Sequence, residues 1–205
     1  MPFISKTNFK NFDLYLWKIE ESEIRLENGI TITTSLRERL KSMRSEEHRK
    51  GILSVRQLMK VADVLESDLY YDSDGSPNLK SNKHISISHS KYFSGIVLSD
   101  FQIGIDIESC REKINKIAPR FLHEKEHFAL GKIEDLTYVW TAKEAIYKAF
   151  RTSGINFSKQ ICVDKPCNSA KAGQGKVLFN DQFRFFELSY IKLDSHFVTI
   201  AYETT

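Results

Sequence analysis

HISISHSKYFSGIVLSDFQIGIDIE, residues His84 to Glu108, holds three short strand-like runs, of which the first and the last alternate apolar and polar residues. Strand side chains point to opposite faces in turn. The runs therefore read as three strands, His84 to Ser90, Ser94 to Leu98 and Gln102 to Glu108. Their links, Lys91-Tyr92 and Ser99-Asp100, are short and polar, which predicts an antiparallel meander. In the last strand Ile103, Ile105 and Ile107 share one face and pack into a core, while Gly104, Asp106 and Glu108 share the other. Two carboxylates two residues apart on a stiff strand repel each other and cost desolvation energy if left bare. A divalent cation that takes oxygen ligands, magnesium above all, removes both problems, and Gly104 would leave that face open beside the pair. An acidic face that simply meets water accounts for the same pattern.

Upstream, Leu14-Tyr15-Leu16-Trp17 predicts a first strand within Phe9 to Glu20. From Ser35 to about Leu65 the pattern turns helical. Leu36, Leu40 and Met43 make one stripe, and Ile52, Val55, Leu58, Met59, Ala62 and Leu65 a second, with Gly51 a local weakness. Between Arg37 and Lys60 there are eight Lys or Arg against three Glu. That excess would attract phosphates or an acidic protein, although a solvated helix face also explains it. Asp72 to Asn78 is a turn cluster. The strand Ile85-Ser86-Ile87-Ser88-His89-Ser90 ends on His89. A ring there either serves the fold or reaches out of the sheet to donate a hydrogen bond to a phosphate.

Downstream, the charge-rich stretch from Arg111 to Asp135 reads as helical, interrupted at Pro119 and Gly131, and a stronger helix runs from about Leu136 to Arg151. In that helix Ala142, Ala145, Ile146 and Ala149 form the buried stripe. Lys143, Glu144, Tyr147, Lys148 and Arg151 lie towards the other side. Glu144 and Lys148, four residues apart, stand one above the other. They form either a routine surface ion pair or a third carboxylate and a cation aimed at a phosphate. The tail is β, over Lys176 to Phe179, Phe183 to Leu193 and Phe197 to Tyr202. Tyr92 to Val97 weakly echoes His196 to Ala201. The expected fold is therefore α+β, with antiparallel sheets and packed helices in two similar lobes related by pseudo-two-fold symmetry. They span residues 1–100 and 101–205.

At 205 residues and 41% hydrophobic, the chain can bury a core without staples. No apolar run nears the roughly 20 residues that span a bilayer, and the N-terminus has no signal-peptide core, so no membrane partner is expected. Three cysteines, Cys110, Cys162 and Cys167, with no CxxC spacing, exclude a disulfide framework and a zinc site. Cys162 and Cys167 could pair, but free thiols in a reducing cytoplasm are the expectation.

Three motifs occur in order: Ser88-His89-Ser90, Gly104-Ile105-Asp106-Ile107-Glu108, and the helix from Trp140 through Lys143-Glu144 to Lys148. This ordered set resembles the 4′-phosphopantetheinyl transferases, specifically their larger, single-chain, two-lobed class. The match is clear over residues 84 to 151, and His48-Arg49 with Arg56 extends it to about residue 45. The resemblance implies transfer of the 4′-phosphopantetheine arm of coenzyme A, the co-substrate, to a serine of an acidic acyl or peptidyl carrier protein. It implies Mg2+ held on the coenzyme A pyrophosphate by Asp106, Glu108 and Glu144, with adenosine 3′,5′-bisphosphate released. Glu144 would be the base for the carrier serine, and Lys148 would neutralise the phosphate under attack. Ser88 and His89 would contact the coenzyme A phosphates and Arg49 its 3′-phosphate. One chain with two lobes makes a monomer sufficient for a complete site.

The family usually has a Gly-Lys-Pro turn before its serine-histidine strand, whereas this chain reads Gly75-Ser76-Pro77. Either the lost cation weakens coenzyme A binding, or Lys80 or Lys83 nearby replaces it. The departure favours one alternative, a degenerate transferase that only binds coenzyme A or carrier protein. A metal-dependent nuclease is the other, because Asp-x-Glu strands also occur in two-metal nucleases. No further ordered aspartates follow Glu108 to complete such a site, so no nucleic-acid partner is expected.

Overall fold

Apolar residues two apart dominate the strands, and the computed structural model, which describes residues 3–9, 11–166 and 171–204, places them in two antiparallel sheets and one small hairpin. The chain divides into two compact units, Met1–Asp100 and Phe101–Thr205.

In the first unit, β1 (Phe3–Asn8) and β2 (Phe12–Lys18) form a hairpin, where the sequence predicted one strand. Helices α1 (Glu23–Glu27), α2 (Thr34–Ser42) and α3 (Glu46–Val61) follow. Thr33 caps α2 and Ser45 caps α3, each accepting a bond from a backbone N–H three residues on. Leu65 does not join the α3 stripe. The helix ends at Val61, Asp63 takes a left-handed conformation (φ 56°), and Leu65 is left 64% exposed. A short hairpin of β3 (Leu69–Tyr71) and β4 (Pro77–Leu79) flanks the expected turn, with Gly75 at φ +83°. Strands β5 (His84–His89) and β6 (Phe93–Ser99) complete a sheet in the order β1-β2-β6-β5. Its core gathers Trp17, Leu26, Leu36, Leu53, Leu58 and Ile96.

The second unit begins with β7 (Ile103–Ser109). Here the predicted meander fails. The neighbours of β6 are β2 and β5, and β7 pairs instead with the last strand of the chain. Helices α4 (Lys113–Phe121), α5 (Ile133–Phe150) and α6 (Phe157–Gln160) come next. Pro119 lies inside α4, whereas Gly131 (φ +73°) marks a turn before α5. Strands β8 (Ile161–Val163), β9 (Ala172–Phe179), β10 (Gln182–Leu193) and β11 (His196–Glu203) give the sheet order β7-β11-β10-β9-β8. Both β8 and α6 escaped the sequence reading. Among the described residues no helix is long and apolar enough to cross a membrane. Cys110 and Cys162 are free thiols, and Cys167 lies outside the described residues.

Helix α5 is buried on almost every side, including Tyr138, Val139, Ala142, Ala145 and Ile146. It lies across the row formed by Gly104 of β7, Ala201 of β11, Leu188 of β10 and Gly173 of β9, in which every residue but Leu188 is small. A Cβ added to Gly104 would overlap the carbonyl oxygen of Ala145 and come 2.7 Å from the amide nitrogen of Ala149. Gly104 thus does not leave its face open, as its lack of a side chain suggested; the helix backbone fills the space. Gly104→Ala is expected to cost about 3 kcal/mol or more, at the upper end of overpacking effects, because the obstacle is backbone that cannot rotate away. Urea unfolding of the two proteins measures it, and a loss under ~0.5 kcal/mol would contradict this seat for α5.

Candidate active site

Because Asp106 and Glu108 share the Gly104 face of β7, the close seat of α5 brings that helix directly over them. Asp106 is only 6% exposed. Lys148, in the last turns of α5, donates from Nζ to Asp106 Oδ1 at 2.7 Å and to the Ile105 carbonyl at 2.9 Å. The lysine therefore pairs across to the strand, rather than with Glu144 four residues back, one of the two arrangements the helix spacing left open. Glu108 is half-buried, with the Arg111 guanidinium 4.0 Å away, and Trp140 of α5 and Arg111 both favour its charged form. Burial pushes the Glu108 carboxyl up, and the Asp106 charge adds to the shift.

Glu144 sits one turn before Lys148. Burial pushes its carboxyl up to about 7; Asp106 and Glu108 add to the rise and Lys148 opposes it. Three carboxylates thus feel one another inside a poorly solvated pocket, with one ammonium among them. Among the described residues no three His, Cys, Asp or Glu side chains form a ready-made metal cage. The donor set nevertheless suits a hard divalent cation: oxygen donors only, with mutual repulsion that a cation would relieve. Magnesium commonly needs only one or two protein carboxylates beside substrate phosphates.

Lys143, the neighbour of Glu144, is not on an outer face. It is fully buried, with Nζ 2.8 Å from Glu126 Oε2, and it donates towards the carbonyls of Phe121, Phe157 and Ile161 at 2.6, 2.9 and 2.8 Å. Burial pushes the ammonium down and Glu126 pulls it back. Glu126 also accepts from the His123 and Val163 amides, at 2.7 and 2.8 Å. A lysine so enclosed ties α5 to three backbone segments and has no reach towards a ligand. Its partner lies 17 residues upstream in a 3₁₀ turn (Glu124–Ala129), where helical periodicity gives no signal.

In the first unit, Ser88 is buried and His89 half-buried at the end of β5. The His89 ring lies against α3, where a Cβ on Gly51 would come 2.5 Å from its Nδ1, and its centroid is 6.3 Å from the His48 ring. Gly51, which read as a helix weakness, makes room for that ring. Arg49 is held by Glu23 of α1, with Nη2 to Oε1 at 2.8 Å and Nε to both oxygens, while Nη1 donates to the Met43 carbonyl at 2.8 Å. Arg56 pairs with Glu66 at 2.7 Å and is only 6% exposed, so it serves the core. Of the two lysines near Gly75-Ser76-Pro77, Lys83 is ion-paired with Asp100 at the surface.

Residues 102–201 match the 4′-phosphopantetheinyl transferase superfamily. Over 108 residues the chain is 31% identical to the 4′-phosphopantetheinyl transferase gsp of Aneurinibacillus migulanus, a match that covers 48% of this chain and 46% of that protein. The chain thus matches about half the length of this curated relative. Strand β7 and helix α5, which supply Asp106, Glu108, Glu144 and Lys148, fall inside the segment that matches the 4′-phosphopantetheinyl transferase superfamily.

Proposed function

We propose that this protein transfers the 4′-phosphopantetheine moiety of coenzyme A to a serine of an apo acyl or peptidyl carrier protein, in a Mg2+-dependent reaction that releases adenosine 3′,5′-bisphosphate. The observation that carries this reading is the cluster of Asp106, Glu108, Glu144 and Lys148 on β7 and α5, within the segment that matches the superfamily. Asp106, Glu108 and Glu144 would hold the magnesium, which when bound supplies charge neutralisation on the pyrophosphate. Glu144 accepts the proton of the carrier serine. Lys148 neutralises the phosphoryl oxygens as the serine attacks. Phosphoryl transfer needs positioning and charge far more than covalent help from the protein, and these side chains provide both.

In the same proposal Ser88 and His89 contact coenzyme A phosphates, and Arg49 takes its 3′-phosphate by exchanging the Glu23 carboxylate for it. The first unit, residues 1–100, then serves mainly coenzyme A binding, and residues 101–205 carry the metal strand and the Lys-Glu helix. A shared plan, one long helix across an antiparallel sheet in each unit, supports an internal repeat with pseudo-two-fold symmetry. The exposed Arg37, Arg39, Lys41 and Arg44 suit an acidic carrier, whose encounter they would steer. Free thiols at Cys110 and Cys162 suit a cytoplasmic protein, and we propose a monomer.

Asp106→Ala is expected to lower kcat/KM for carrier modification by about 10²–10³-fold or more, with an unchanged far-ultraviolet circular dichroism spectrum. Wild-type turnover at saturating magnesium would refute the site. Arg49→Ala is expected to raise the KM for coenzyme A roughly tenfold while leaving that for dephospho-coenzyme A nearly unchanged. An equal rise for both would make Arg49 a brace for α1 and nothing more. Glu144 also links stability to pH. Its folded value, about 7, lies above the ordinary 4.5, so its contribution is complete below 4.5 and is lost as pH rises through 7. In EDTA, urea unfolding of the wild type should lose stability over that window relative to Glu144→Gln, and parallel curves would show that the carboxyl is not perturbed.

A further inference from the structure

The ammonium of Lys148 among the three carboxylates is turned towards β7 rather than towards a ligand. Lys148 has two of its three N–H groups committed to β7, one to Asp106 Oδ1 at 2.7 Å and one to the Ile105 carbonyl at 2.9 Å. So placed, the ammonium serves the strand. To offer a phosphate more than its one remaining N–H, it must let go of Asp106. Asp106, at 6% exposure, cannot be left without a counter-charge except at high cost. A metal ion on Asp106 and the Lys148 ammonium on the same carboxylate also repel each other, since both are positive and the site is poorly screened. These demands are eased together if the two cations take turns.

We propose that Lys148 is an internal counter-ion for Asp106, displaced when a divalent cation binds that carboxylate, so that cation loading releases the ammonium for the substrate phosphate. This rests on the reading of Asp106 as a metal ligand given above. Lysine suits the task better than arginine. Its compact ammonium rides on a flexible four-carbon stem and makes no bidentate clamp on the carboxylate. The side chain is 29% exposed against 8% for that of Asp106, so the lysine has room to move where the carboxylate does not. The device also prescribes an order. The phosphate-binding cation becomes available only after the metal is in place, which keeps the ammonium from drawing in a bare phosphate beforehand. A lysine that only fastened α5 to β7 would behave differently, because it would keep its bonds whether or not a metal were present.

The test uses the purified chain with Mn2+ as the probe and no coenzyme A. Binding is followed by electron paramagnetic resonance in the wild type, Lys148→Met and Asp106→Asn. Separately, acetic anhydride labelling of Lys148 in the wild type is followed by mass spectrometry, with and without Mg2+. Lys148→Met is expected to bind Mn2+ roughly tenfold more tightly, the change implied by removing one competing charge-assisted hydrogen bond. Mg2+ is expected to raise Lys148 labelling. Unchanged or weaker Mn2+ binding by Lys148→Met overturns the proposal, as does labelling that Mg2+ leaves unchanged or lowers. The labelling arm needs no variant, so it stands even if Lys148→Met misfolds. Equal Mn2+ affinity in Asp106→Asn and the wild type would instead remove the metal from Asp106 and overturn the underlying reading as well.

Discussion

The contact between Gly104 and the backbone of α5 at Ala145 and Ala149 decides what this site can be. A helix usually packs on a sheet through its side chains, which hold the two backbones well apart. Here one glycine in the strand and small residues in the helix, Ala142, Ala145 and Ala149, remove that spacer. Side chains flanking the contact then span the gap directly. That is why a four-carbon lysine from α5 reaches both a carboxylate and a carbonyl of β7, and why burial under the helix, with Asp106 and Glu108 adding to it, pushes the Glu144 carboxyl up to about 7. A larger residue at position 104 would lift the helix and dissolve the cluster without altering any of the four side chains that form it.

A second constraint fixes the helix along its own axis. Lys143 and Glu126 form a fully buried ion pair, and together they bond to backbone groups of four separate segments. Burying two charges is expensive, and such pairs hold a fold in place chiefly because removing one partner leaves the other stranded, at about 3–5 kcal/mol. The adjacent residues Lys143 and Glu144 therefore have opposite tasks. One points into the unit and locks α5, and the other turns to the carboxylate cluster. The lock specifies which turn of α5 lies over Asp106, and hence which residues meet there.

Much of this was legible in the sequence because it depends on local periodicity. The alternation in β7 separates Ile103, Ile105 and Ile107 from Asp106 and Glu108, and the helical period of α5 identifies Ala142, Ala145, Ile146 and Ala149 as buried. What was not legible depends on partners distant in the chain. Lys143 looks like a surface residue until Glu126 and three carbonyls surround it. Gly104 looks like an opening until a helix fills it. The expected meander failed because β7 finds β11 at the far end of the chain, a pairing no short link announces. For Lys148, spacing along one helix offers Glu144 as one partner, while tertiary packing supplies the nearly buried Asp106.

The most direct test of the account is mass spectrometry of a purified apo acyl carrier protein after incubation with this protein, coenzyme A and Mg2+, with and without EDTA. The account requires the carrier to gain the mass of one phosphopantetheine group, and EDTA to prevent the gain. Failure to modify several unrelated apo carriers, with coenzyme A binding intact, would contradict it and leave a protein that binds coenzyme A without transferring its arm.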